Sequence, residues 1–451
     1  MGSRCGNWVL LAASLFFYAW GEPRFIYMLA GVAFLNWILG LAMSPGKSNG
    51  ALRKFAFGTA LVVDIGLLFV YKYLGFVHGG ILAAIGSADT PVAIALPLGI
   101  SFFTFSMISY AVDVYSGKTA PASRPDDFLL YVSFFPKIAV GPIARYHEMR
   151  DALATRKETR ADVSEGIARF IVGFGKKAIF AGHLGVIADN IFLLAEDGYP
   201  ISAASAWIGV IAYSLQIYFD FSGYSDMAIG LCRIFGFRIG ENFKYPYAAT
   251  SVTDFWRRWH ISLSLWFRDY VYIPLGGNRC SRQRVVFNLF LVWLLTGIWH
   301  GANWTFIVWG LMYFAFLMLE RSLGLAKAEC LPLLPRLAMR GWTLFVVALC
   351  WTVFRSSSLP DAITYFGLLF GSSGMLFDSM AESYLTNGGI LMTVAAICAF
   401  PVSNVLKNLE RRLRAATVAP VIRFAFLVMT LAVSVLMCFK SSHNPAIYFQ
   451  F

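Results

Sequence analysis

Long apolar runs separated by short polar connections dominate this chain. Crossing the hydrocarbon core of a bilayer takes about 20 predominantly apolar residues in a helix. The runs at 8–20, 25–43, 55–77, 91–113, 163–195 (interrupted), 203–235, 285–322 (at least two passes), 340–356, 386–402 and 420–438 are the predicted spans. Two stretches break the pattern. Phe128 to Arg145 is apolar but short, and it holds Pro136, Gly141 and Pro142, which a regular helix tolerates poorly. It reads as re-entrant or interfacial. Asp254 to Gly277 mixes arginine with tryptophan and closes on Pro274-Leu275-Gly276-Gly277, and irregular backbone is allowed at membrane depth only where protein buries it or water reaches it. No internal repeat or appended polar domain is visible, which argues against a transporter built from two similar halves. The pattern predicts an all-α, polytopic transmembrane helical bundle with re-entrant or interfacial helices, a single domain over residues 1–451.

Composition agrees: 58% of the 451 residues are hydrophobic and 14% charged, which excludes an ordinary soluble domain. The formal charge of +12 raises nucleic acid as a partner. Its lysines and arginines, however, fall in brief clusters between spans (Lys47 to Lys54, Arg145 to Lys177, Arg257 to Arg284, Lys407 to Arg414), the pattern of cytoplasmic loops facing lipid headgroups. Membrane lipids are the expected partner, and nucleic acid is not. The seven cysteines form no CxxC pair and no zinc-type spacing, so neither a disulfide framework nor a metal is expected. Trp8 to Trp20 lacks a small-residue cleavage site and reads as a membrane segment, not a removed signal peptide.

Against this apolar background, ionisable side chains carry the information. His300 lies in Leu295-Thr296-Gly297-Ile298-Trp299-His300-Gly301-Ala302-Asn303-Trp304. An imidazole there either faces a cavity and moves protons or sits neutral and hydrogen-bonded inside the bundle. Gly297 and Gly301 have the spacing that lets helices approach closely; the same glycines would also clear room for a substrate, which Asn303 would orient. His260, placed on a helix, shares a face with Arg257, Ser264 and Arg268. Arginines on such a face also suit an interfacial helix meeting lipid phosphates. A histidine base with fixed donors fits acyl transfer from a thioester, and that chemistry needs no metal. His78, His147, His183 and His443 read as surface or packing residues, and Asp64 and Asp113 as paired structural carboxylates.

The run FWRRWHISLSLWFRDYVYIPLGGNR (Phe255 to Arg279), followed by LTGIWHGANWTFIVWG (Leu295 to Gly310), resembles the membrane-bound O-acyltransferase family, within it the branch of the bacterial alginate O-acetyltransferase membrane subunit. The likeness extends to IYFDFSGYSDMAIG (Ile217 to Gly230), NFKYPY (Asn242 to Tyr247), LPLGISFFTFSMISYAVDVYSG (Leu96 to Gly117) and FFPKIAVGPIARYHEM (Phe134 to Met149). It implies a multi-pass enzyme of the bacterial inner membrane that takes acetyl from cytoplasmic acetyl-CoA, with no permanently bound cofactor. It also implies that the acetyl group passes to a periplasmic hydrolase-like partner with a Ser-His-Asp site, which esterifies an exported polysaccharide. His300 matches the family's central histidine and His260 its second motif position. Arg257, Arg268, Arg279 and Arg282, with Ser264 and Asn303, are candidate contacts to coenzyme A or substrate, arginine being suited to phosphates. D-alanyl transfer to a cell-envelope polymer and a transporter or flippase that makes no bond are the alternatives; YIPLGGNR and the closing AIYFQF favour the polysaccharide branch. Family members carry a further apolar segment ahead of the stretch that resembles WVLLAASLFFYAWGEPRF, and this chain begins almost at that stretch.

Overall fold

In a computed structural model, residues 3–44, 49–87, 89–325, 330–402 and 419–440 are described. Lys47, the Lys407 to Arg414 cluster, His443 and the closing AIYFQF lie outside them. The chain is an all-α membrane protein. Its helices are α1 Ser3–Gly21, α2 Ile26–Ala42, α3 Gly50–Leu68, α4 Leu74–Ala84, α5 Ile100–Tyr115, α6 Pro125–Ser133, α7 Phe135–Ile138, α8 Tyr146–Thr155, α9 Arg160–Gly175, α10 Gly182–Glu196, α11 Ala203–Ile234, α12 Val252–Trp256, α13 Ile261–Phe267, α14 Arg282–His300, α15 Trp304–Ser322, α16 Leu333–Arg355, α17 Leu359–Leu369, α18 Ser379–Cys398 and α19 Ala419–Lys440. By length and composition Gly50–Ala84, Arg160–Glu196, Trp304–Ser322, Leu333–Arg355 and Pro420–Phe439 can cross a membrane.

Helix starts follow local chemistry. The first N–H groups of a helix have no intrahelical partner, and short polar side chains accept from them: Asn49 from Leu52, Ser251 from Asp254, Ser281 from Arg284, Asn303 from Thr305, Ser358 from Asp361 and Asp378 from Ala381. Three expectations change here. Residues 91–99 are not helical, because Pro91 and Pro97 lack the donors a helix needs and Gly99 turns the chain at φ +69°. The stretch at 163–195 is not interrupted; a π-helical segment, Lys176–Ala181, joins α9 to α10. The short helix α17 lies outside every predicted span.

The chain forms two compact units. Unit 1 comprises residues 1–167, 228–241 and 265–274. Here Phe128 to Arg145 becomes α6, α7 and a buried irregular strand of chain, in keeping with its prolines. Asp64 accepts from Asn36 Nδ2 at 2.8 Å, with both side chains fully buried. Asp113 meets His147 Nδ1 at 2.8 Å, Tyr270 Oη at 2.9 Å and Lys118 Nζ at 3.4 Å. Asp113 is thus ion-paired, whereas Asp64 meets a neutral amide and its Oδ2 is buried without a partner among the described residues.

Unit 2 comprises residues 168–227, 242–264 and 275–451. Its frame is the hairpin of α14 and α15 with α16 beside it. A Cβ on Gly297 would lie 2.5 Å from the Phe306 carbonyl oxygen, and one on Gly310 2.5 Å from that of Trp293. Several charges within its apolar helices are neutralised in pairs, which offsets the cost of burial: Lys176 and Arg169 on Asp226 at 2.7 and 2.8 Å, Lys177 on Asp220, and Arg355 on Asp189 at 2.7 Å.

Candidate active site

The expected polar helix face around His260 does not form. His260 has φ +42°, a left-handed conformation that costs a non-glycine residue about 1 kcal/mol or more and persists only where the surroundings enforce it. The chain therefore breaks between α12 and α13 at this residue, and its neighbours separate. His260 is completely buried, Arg257 is exposed, and Ser264 donates its hydroxyl to the Trp256 carbonyl at 3.3 Å. Arg268, in unit 1, is half exposed and pairs with Asp269 at 2.6 Å.

The segment that begins NFKYPY enforces the strained turn. Asn242 O accepts from Ile261 N at 3.0 Å, and Lys244 N donates to Arg258 O at 2.9 Å. The fully buried Asn242 side chain then sets the imidazole. Its Oδ1 accepts from Ser262 N at 3.1 Å and Ser262 Oγ at 2.9 Å, while Nδ2 donates to Ser225 Oγ at 3.2 Å. A backbone N–H can only donate, so the atom facing Ser262 is the amide oxygen. His260 Nδ1, 3.2 Å from that same oxygen, must carry the proton. Nε2 is left with its lone pair, buried and without a hydrogen-bond partner among the described residues. Burial also pushes the His260 pKa down, from 6.5 to about 3, because a charged ring would lose its hydration. The imidazole is neutral at working pH.

His300 is the last residue of α14, at the turn of the α14–α15 hairpin, and only 4% exposed. Aromatic rings enclose it edge to face: Trp309 at 4.7 Å, Trp299 at 4.9 Å and Phe354 at 5.1 Å between centroids. Trp299 also meets His260, at 5.9 Å, and Phe221 closes on His260 at 4.6 Å. The two histidines, 40 positions apart in sequence, therefore share one buried indole. Such rings supply a dry, shaped wall while leaving the imidazole nitrogens to carry the polarity.

Other candidates fall elsewhere. Asn303 serves the turn: Oδ1 caps Thr305 N at 3.1 Å and Nδ2 donates to Ser357 O at 2.9 Å. The space beside Gly301 is occupied by the Phe306 ring; the glycines serve helix contact and do not open a cavity. Arg279 and Arg282 are exposed. Two contributors were not singled out from the sequence. Asn242 is one. The other is Glu320, 2% exposed near the end of α15, whose carboxylate accepts from Val252 N at 2.6 Å and from Thr253 N at 3.0 Å and so holds the start of α12. No local spacing signals either partnership.

Residues 103–328 match the family model of the membrane-bound O-acyltransferases. The chain is similar to the probable alginate O-acetylase AlgI of Pseudomonas putida, with 37% identity over 471 residues, covering 100% of this chain and 95% of that protein. It is similar to the peptidoglycan O-acetyltransferase of Helicobacter pylori, with 34% identity covering 82% and 74%. The likeness to the teichoic acid D-alanyltransferase of Bacillus subtilis, also 34% identical, covers 49% and 58%.

Proposed function

Since the chain belongs to the membrane-bound O-acyltransferase family, we propose that it takes an acetyl group from cytoplasmic acetyl-CoA across the bacterial inner membrane. A periplasmic acetyltransferase with a Ser-His-Asp site receives it and esterifies an exported, alginate-like polysaccharide. The enzyme is a multi-pass O-acyltransferase; donor, partner and acceptor polymer are the proposal. One observation carries it: two buried imidazoles, His260 and His300, set against the same indole in a dry aromatic enclosure.

In the reaction the acceptor oxygen bonds to the thioester carbonyl carbon, the C–S bond breaks, and the hydroxyl proton ends on sulfur. His300 takes that proton as general base and returns it to the leaving thiolate. His260, held with Nε2 unprotonated, accepts a hydrogen bond from an amide N–H of the pantetheine arm and so orients the donor. The likeness to an alginate O-acetylase and a peptidoglycan O-acetyltransferase, over 100% and 82% of this chain, supports acetyl as the transferred group, whereas the likeness to a D-alanyltransferase covers only half of this chain. The test is purified protein with its partner and acetyl-CoA, with free thiol release followed over time. Release that saturates with donor is expected. Acetylated polymer appearing in cells while the purified pair consumes no acetyl-CoA would overturn the donor assignment and call for a different acyl donor.

His260 makes a separate prediction. His260→Ala loses one neutral hydrogen bond, which lowers transfer about tenfold, whereas His260→Asn keeps an acceptor and loses less. Because the buried ring stays neutral, neither change moves the acid limb of the pH–rate profile. Stability does respond. The unfolded histidine binds a proton below about pH 6.5 and the folded one does not until about pH 3, so His260 withdraws stability as pH falls through that window. His260→Asn should flatten the decline in unfolding temperature between those values. A shifted acid limb in His260→Asn would show that the histidine titrates during turnover.

A further inference from the structure

Unit 2 contains a cavity of about 230 Å³ lined by Arg258, Arg336, Arg340, Thr250 and Asp254, with Leu333 and Leu337 at its exposed edge. Three arginines thus line a space that holds one carboxylate. That carboxylate is already occupied: Asp254 pairs with Arg258 at 2.8 Å and accepts from Thr250 N at 3.4 Å. Arg336 and Arg340 stand four residues apart on α16, a spacing that places like charges side by side and is unfavourable unless an anion lies between them. Among the described residues neither has a carboxylate partner; Arg340 packs over the Phe400 ring at 6.0 Å, and its Nε is buried without an acceptor. Thr250 adds an independent sign. It is only 5% exposed, lines the cavity, and its hydroxyl has no partner among the described residues.

We propose that this cavity is a binding site for a phosphate-bearing ligand, held by Arg336 and Arg340 with the Thr250 hydroxyl as a further donor. Guanidinium pairs bind phosphate oxygens bidentately, and a hydroxyl completes such a cradle. The site is distinct from the histidine pair. Trp351, which touches the Trp309 ring beside His300, lies 11 positions beyond Arg340, or about 16 Å along α16 at about 1.5 Å per residue. The phosphate anchors one end of a ligand and takes no part in the bond chemistry. Two sources carry this group: the headgroup of an anionic phospholipid, which the flanking leucines suit, and the nucleotide phosphates of coenzyme A, whose pantetheine arm would extend toward His300. The second source rests on the donor proposed above.

The experiment compares the full-length protein with the Arg336→Gln/Arg340→Gln double variant, both purified in neutral detergent. Coenzyme A binding is measured by calorimetry, and retention of phosphatidylglycerol by native mass spectrometry. A nucleotide site predicts about a tenfold or greater loss of coenzyme A affinity with lipid retention intact, as expected for losing charge-assisted contacts. A lipid site predicts the converse. Should wild type bind no coenzyme A while the variant still loses the lipid, the donor reading fails and the cavity assignment stands. Equal behaviour of wild type and variant in both measurements overturns the proposal. If the double variant does not fold, Thr250→Val, which removes only the orphaned hydroxyl, is expected to weaken whichever ligand binds, and an unchanged affinity there has the same meaning.

Discussion

Replacing His300 with alanine is expected to lower acetyl transfer by about 10²–10⁴, the range for loss of a positioned general base, while the protein remains folded in detergent. The ring lies at the end of α14 among Trp299, Trp309 and Phe354, and the hairpin it terminates is held by other contacts. Those contacts are backbone approaches at Gly297 and Gly310 and the Asn303 cap. Removing the imidazole leaves a void in an aromatic wall, a buried large-to-small change whose cost to stability is on the order of 2–5 kcal/mol. Thiol release by the purified variant and polymer acetylation in cells read the effect. Near-normal acetylation with a folded variant would remove His300 from the chemistry.

Gly297→Leu is expected to abolish folded protein, and Gly297→Ala to destabilise it by about 1–3 kcal/mol, the range for overpacking. A Cβ here meets backbone, the Phe306 carbonyl oxygen at 2.5 Å, and backbone cannot step aside as a flexible side chain does. A Cβ on Gly310, on the facing helix, would lie 3.2 Å from Gly297 Cα, so Gly297→Ala and Gly310→Ala perturb one contact and their effects will not add. Thermal unfolding of the detergent-solubilised variants gives the measurement. An unaltered unfolding temperature for Gly297→Ala would mean that α14 and α15 do not approach this closely. Residual activity of a folded Gly297→Ala variant should fall as well, because the same hairpin carries His300 on one arm and Trp309 on the other.

Much of the helical framework was legible because apolar runs of bilayer length admit few other structures: backbone groups without water must pair within the segment. His300 was legible for a related reason, as a titratable side chain in surroundings that penalise charge. Local rules, in contrast, misplaced residues wherever partners came from far away. Helical periodicity put His260 on one face with Arg257, Ser264 and Arg268, but main-chain contacts from Asn242 and Lys244 impose a left-handed turn there. The resemblance pointed to Arg279 and Arg282, which are exposed, and the arginines that line the unit 2 cavity, Arg336 and Arg340, more than 70 positions from Arg258, were not singled out. Asn303, read from the sequence as a candidate substrate contact, also caps α15, a use of the same amide chemistry that only geometry reveals.

The amino-acid sequence by itself determined that this is a multi-pass helical membrane protein and marked His260 and His300 as candidates, because composition, hydrophobic period and residue type are local properties. The tertiary structure decided which imidazole nitrogen of His260 bears the proton, which rings enclose His300, and that both histidines meet at Trp299. Each of those depends on hydrogen-bond direction and ring contact between residues tens of positions apart, and no short-range pattern encodes such distances.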